Sequence, residues 1–116
     1  MAAGGRPVGP IAIVSALHDE LRAIDAGLQG RSLQRRAGRD FHVGRLQGQE
    51  VLLVLSGIGK VAAATTATLA LEVFGARALL FTGVAGGLAA DAQVGDVVVA
   101  RELLQHDMDA SPLFPR

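Results

Sequence analysis

Short uninterrupted apolar runs alternate along this chain with longer stretches in which apolar residues recur every three or four positions. Ile11-Ala12-Ile13-Val14, Val51-Leu52-Leu53-Val54-Leu55 and the run from Ala78 to Thr82 predict buried strands covered on both faces. After the first run, Leu17, Leu21, Ile24 and Leu28 fall at helical spacing, with Ser15 as the expected cap and Gly27 and Gly30 marking the end. Phe41 and Val43 alternate with polar neighbours, and Leu46-Gln47-Gly48-Gln49 turns the chain into Val51, so this segment reads as a hairpin. Lys60 to Phe74 is rich in alanine and closed by Gly75, which predicts a helix. A last strand is expected at Val97-Val98-Val99-Ala100, entered through Val94-Gly95-Asp96, and residues 109–116 read as a loop. Residues 1–9 form an expected flexible leader, and residues 10–116 one domain. A hairpin set within a β-α-β series predicts an α/β fold with a mixed β-sheet flanked by helices.

Composition narrows the chemistry. With 116 residues and 50% hydrophobic content, one compact core is affordable and a second domain is not expected. Eleven basic side chains balance eleven acidic ones, which removes the electrostatic argument for nucleic acid or an anionic membrane surface and suits a small neutral or zwitterionic ligand. The absence of cysteine removes disulfides and thiolate metal sites. The apolar runs are too short to span a bilayer, and a cytoplasmic location is expected.

Two glycine clusters, Ser56-Gly57-Ile58-Gly59 and Thr82-Gly83-Val84-Ala85-Gly86-Gly87, follow predicted strands, so both can bring bare backbone to one rim of the sheet. Gly57, Gly59 and Ala62 satisfy the dinucleotide fingerprint G-x-G-x-x-G/A. The next strand, however, ends at Phe81-Thr82 without the acid that would grip a ribose, and the fingerprint strand is not the first of the chain. A P-loop fails as well, since Val54 stands where its first glycine belongs and Val61 follows Lys60 where Ser or Thr is required. His106-Asp107-x-Asp109 pairs an imidazole with carboxylates, but a solvated loop accounts for it without a metal.

Five segments occur together in register: Ala12-Ile13-Val14-Ser15-Ala16-Leu17-His18-Asp19-Glu20, Ser56 to Ala63, Thr82 to Leu88, Val94-Gly95-Asp96-Val97-Val98, and His106-Asp107-Met108-Asp109. From about Ile11 onward the chain resembles the N-terminal half of the 5'-methylthioadenosine/S-adenosylhomocysteine nucleosidases, within the nucleoside phosphorylase superfamily. The resemblance implies a truncated form of that fold, with no cofactor and no metal, hydrolysing an adenine nucleoside as a small-molecule substrate. It implies that Glu20 holds the attacking water, a role suited to a carboxylate facing an oxocarbenium-like transition state. The alternative for Glu20 is an ordinary first-turn acid favoured by the helix dipole, like His18 and Asp19 beside it.

By the same resemblance Val84, Ala85 and Gly86 lie along purine and ribose. Val84 stands where some relatives have serine, which leaves that contact to the backbone. Leu17 and Ile58 match apolar positions around the 5'-alkylthio group, although a plain core role fits either. Leu113 belongs to a tail reaching the partner subunit of a homodimer. Phe81 occupies a position where phosphorylases carry a phosphate-binding arginine, so water is the expected nucleophile. The leaving-group acid and the ribose-binding glutamate belong to the other half of the family's chain, so the isolated chain is expected to be inactive or nearly so. The alternatives are a non-catalytic nucleoside-binding or subunit-interaction module, and a purine nucleoside phosphorylase relative.

Overall fold

The computed structural model describes residues 8–115, so most of the expected leader lies outside the described residues. The described residues fall into two compact units that divide after Ala85. Among the described residues the first holds every strand and helix: β1 (Ile11–Ser15), α1 (His18–Ala26), β2 (Gln29–Arg36), β3 (Arg39–Leu46), β4 (Gln49–Leu55), α2 (Lys60–Glu72) and β5 (Ala78–Phe81). The sheet runs β2-β3-β4-β1-β5. β1 is parallel to both β4 and β5, whereas β3 is antiparallel to β2 and β4. The expected mixed sheet is therefore present, and β1 is interior.

Alternation along β1 and β4 sends neighbouring residues to opposite faces. Ala12, Val14, Leu52 and Val54 join Phe41, Ala70 and Ala76 on the α2 face. There Phe41 stacks on Phe74 with ring centroids 4.5 Å apart. Ile13, Val51 and Leu53 join Leu21 on the α1 face. Continuous apolar runs are thus explained by a helix on each side of the sheet.

Several expectations are corrected. Ser15 does not cap α1: it is the last, fully buried residue of β1, and Leu17 is the N-cap. Glu20 serves that helix end instead, reaching back to the Leu17 N–H. The helix stops at Ala26 with Gly27 as C-cap, and Gly30 lies inside β2 at φ +62°, where the ladder with β3 shifts register. β2 itself was not expected, because its sequence Gln-Gly-Arg-Ser-Leu-Gln-Arg-Arg is polar and exposed along its whole length. α2 ends at Glu72, with Gly75 at φ +64° letting the Ala76 N–H reach the Ala70 carbonyl at 3.0 Å.

β5 is an edge strand, and it is exposed where a buried strand was expected. Only β1 pairs with it, and its apolar side chains lack the cover that a helix gives β1 and β4.

The second unit contains turns and no strand among its described residues. The expected strand at Val97–Ala100 is not formed: its valines are almost fully exposed and no ladder reaches them. Valine favours strands by fitting a pleated, half-buried surface, and without a partner strand that preference has nothing to act on.

Candidate functional site

Because β1, β4 and β5 are parallel, their C-terminal ends meet at one rim of the first unit. The chain leaves that rim three times, at Ala16-Leu17, at Ser56-Gly57-Ile58-Gly59 and at Thr82-Gly83-Val84-Ala85. Ser56 N–H donates to the Ser15 carbonyl at 2.8 Å, and Thr82 N–H to the Val14 carbonyl at 3.0 Å, so both glycine segments are pinned to the end of β1. Gly57 and Gly59 have φ of +80° and +107°, conformations that bend the chain from β4 into α2 and that a side chain would strain.

Glu20 joins the turns. Its Oε2 accepts the Ala16 and Leu17 N–H groups at 3.1 and 2.8 Å. Its Oε1 accepts the Val84 N–H at 3.1 Å, across 64 residues of sequence. The Leu17 amide first, then those of Val84 and Ala16, hold the carboxyl below its ordinary pKa against a smaller opposing effect of desolvation. Space is close here: a Cβ on Gly83 would lie 3.1 Å from Glu20 Oε1 and 3.1 Å from the Phe81 ring. A carboxylate has about four acceptor directions, so with three amides bound one remains, on Oε1.

Sequence reasoning placed Leu17, Ile58, Val84 and Ala85 in one neighbourhood, and all lie on segments leaving this rim. Leu17 is 46% exposed and Ile58 80%, which removes the plain core reading for both. Val84 is also exposed at its side chain, but its amide is engaged by Glu20, so the backbone contact expected for a ligand is made within the protein at this residue. Gly86 and Leu113 belong to the second unit. There Leu113 is exposed in a turn closed by its N–H on the Ala110 carbonyl at 3.0 Å.

A feature that sequence reasoning missed is a cavity of about 730 Å³ within the first unit, lined among others by His18, Asp25, Arg31, Asp40, His42 and Gly57. Arg31 lies on β2, the strand whose polar sequence hid it, and this is why the grouping was not visible.

The sequence profile of the Phosphorylase superfamily matches residues 10–116, and the chain belongs to this superfamily. It is similar to the 5'-methylthioadenosine/S-adenosylhomocysteine nucleosidase of Chromohalobacter salexigens, at 44% identity over 86% of this chain and 43% of the relative. The nucleosidase of Colwellia psychrerythraea, solved in complex with adenine, superposes with a TM-score of 0.88 at 36% identity, covering 90% of this chain and 43% of that one. The S-adenosylhomocysteine nucleosidase of Streptococcus pyogenes, in complex with 5-methylthiotubericidin, gives 0.89 at 36% identity, covering 95% and 47%. The chain thus spans less than half the length of these relatives.

Proposed function

We propose that this chain carries the water-positioning side of a purine nucleosidase site, acting on 5'-methylthioadenosine and S-adenosylhomocysteine. The observation that carries the reading is Glu20, a carboxylate held by amides from two separate turns at the rim where Val84 and Ala85 pass. The relatives' names supply the substrates, and the adenine complex of the Colwellia protein supplies the base.

In this reaction the C1'–N9 bond breaks, leaving positive charge on the ribose ring, and water forms the new C1'–O bond. One proton of the water passes to Glu20 as that bond forms, and adenine leaves protonated at its ring nitrogen by a general acid, the group that the resemblance assigns to the other half of the family's chain. A carboxylate with a lowered pKa is a weak proton acceptor but a strong negative charge. Glu20 therefore orients water through its free acceptor direction and stabilises the oxocarbenium-like state, and takes the proton only as the C1'–O bond nears completion. Gly86 continues the base-facing loop, Leu17 and Ile58 face the 5'-alkylthio group, and Leu113 is assigned to the partner's site. Phe81, where an arginine would be needed to hold phosphate, favours water over phosphorolysis.

A homodimer belongs to the same reading. α2 exposes Val61, Ala64, Thr65, Thr68 and Leu71 with no charged residue between Lys60 and Glu72, a face suited to a second copy. No helix among the described residues is long and apolar enough to cross a membrane, and a cytoplasmic setting fits a chain without cysteine.

The test is a chimera that joins this chain to the part of the Chromohalobacter nucleosidase beyond the match. It is expected to release adenine from methylthioadenosine in phosphate-free buffer. Glu20→Gln, which removes the charge, should lower its turnover by about 100-fold or more with affinity for a substrate analogue kept. Phosphate-dependent formation of a sugar 1-phosphate would overturn the assignment of water as nucleophile, and near-normal turnover of Glu20→Gln would remove Glu20 from the reaction.

A further inference from the structure

Two kinds of glycine stand at the rim. Gly57 and Gly59 have positive φ and open space where a side chain would go, so backbone conformation calls for glycine at both. Gly83 is the reverse: its φ is not positive, yet a Cβ there would be crowded. What its missing side chain provides is space, and the space lies beside Glu20.

That Cβ would lie 3.1 Å from Glu20 Oε1, 3.4 Å from Glu20 Cδ and 3.1 Å from Phe81 Cε1. Contacts of 3.1 Å are a few tenths of an ångström too short, so a neighbour has to give. The Phe81 ring is exposed and can turn aside. The carboxylate has less freedom. Its Oε2 is held by the Ala16 and Leu17 amides, and its Oε1 by the Val84 amide at 3.1 Å, near the long end of an N–H···O bond. The start of the β5 loop is fixed too, because Thr82 N–H is tied to the Val14 carbonyl at 3.0 Å. A side chain at position 83 is therefore accommodated by withdrawal of Oε1. The bond lost is the one to Val84, while the two on Oε2 stay.

We propose that Gly83 is a positioning residue: its bare α-carbon lets the β5 loop close on Glu20, and this closure holds the remaining acceptor direction of Oε1 steady for water. Two amides on one oxygen leave the carboxylate free to swing about that oxygen, and the third, on the other oxygen, fixes its plane. Gly83 acts through Glu20, having no polar side chain of its own to offer. The part played by water rests on the nucleosidase reading, whereas the fixing of Glu20 rests on the distances alone.

The experiment compares the full chain with its Gly83→Ala variant. In a carboxyl NMR titration the variant's Glu20 midpoint is expected to rise toward the ordinary glutamate value. The Val84 amide should stop following that titration, while the Leu17 amide still follows it. In urea unfolding, Gly83→Ala should lower the midpoint of the wild type but not that of a Glu20→Ala chain, where the contact is gone. Should Gly83→Ala not fold, its recovery by Glu20→Ala is the expected result and failure to recover the contrary one. An unchanged Glu20 midpoint, or an equal loss of stability in both backgrounds, would overturn the proposal. In the chimera, Gly83→Ala should lower turnover by about tenfold with affinity for a substrate analogue kept, since a misplacement of about 1 Å costs on the order of 100-fold. Loss of turnover in Glu20→Gln but not in Gly83→Ala would overturn the proposal and leave the nucleosidase reading standing. Near-normal turnover of Glu20→Gln would remove that reading instead, and the titration then decides whether Gly83 holds Glu20.

Discussion

At the scale of single residues, Glu20 illustrates how one side chain acquires two duties. It closes the exposed start of α1 by reaching back to Leu17, and it ties that turn to the β5 loop through Val84. Both duties rest on amides donating to the ionised form, and those amides hold its pKa below the ordinary value. A group with a depressed folded pKa contributes stability that is complete above the unfolded value and lost as pH falls through the folded one. The tie between Glu20 and Val84 should therefore persist through neutral pH and loosen only as pH falls below the ordinary glutamate range. A carboxyl carbon titration by NMR should place the Glu20 midpoint below 4.5, with the Val84 amide shift following the same curve. A midpoint at or above 4.5, or a Val84 amide that does not respond, would contradict the geometry.

At the scale of elements, what was legible depended on whether burial or partnership decided the outcome. β1, β4 and α2 are buried on the faces that their sequences announce, and the hairpin turn is set by Gly48. β2 and the valines at 97–99 show the converse. β2 is polar, yet it forms because β3 offers it a ladder, whereas the valines have strand character and no partner. Local pattern reports the first kind of cause well and the second poorly. The site divides in the same way: Glu20 and the glycine turns follow from motif and order, while the cavity needed β2.

The crossing of β3 beneath the α1–β2 connection depends on a missing side chain. A Cβ on Gly44 would lie 2.7 Å from the Gln29 carbonyl oxygen and 2.8 Å from Leu28 Cγ and Cδ1. The backbone oxygen cannot swing away as a flexible side chain would. Gly44→Ala should thus destabilise the fold by about 1–3 kcal/mol. Urea unfolding followed by circular dichroism would measure this, and an unchanged midpoint would show that the connection yields.

At the scale of the whole molecule, the two edges of the sheet are protected very differently. β2 presents Arg31, Arg35 and Arg36 along its exposed length, and like charges of this kind discourage pairing with another chain. β5 presents Leu79, Leu80 and Phe81, 42%, 54% and 60% exposed, with no charge inside the strand. Its outer N–H and C=O groups lie beside uncovered apolar side chains, the combination that invites a further strand or a second copy. Beyond a pair formed through α2, the chain at high concentration should therefore add further copies through β5 and not through β2. Sedimentation over a range of concentrations should show a rising average mass. Leu80→Lys, which places a charge on β5, should suppress that rise, whereas Leu33→Lys on the already guarded β2 should leave it unchanged. No species larger than a pair at any concentration, or equal association in wild type and Leu80→Lys, would show that β5 is not the surface that draws further copies together.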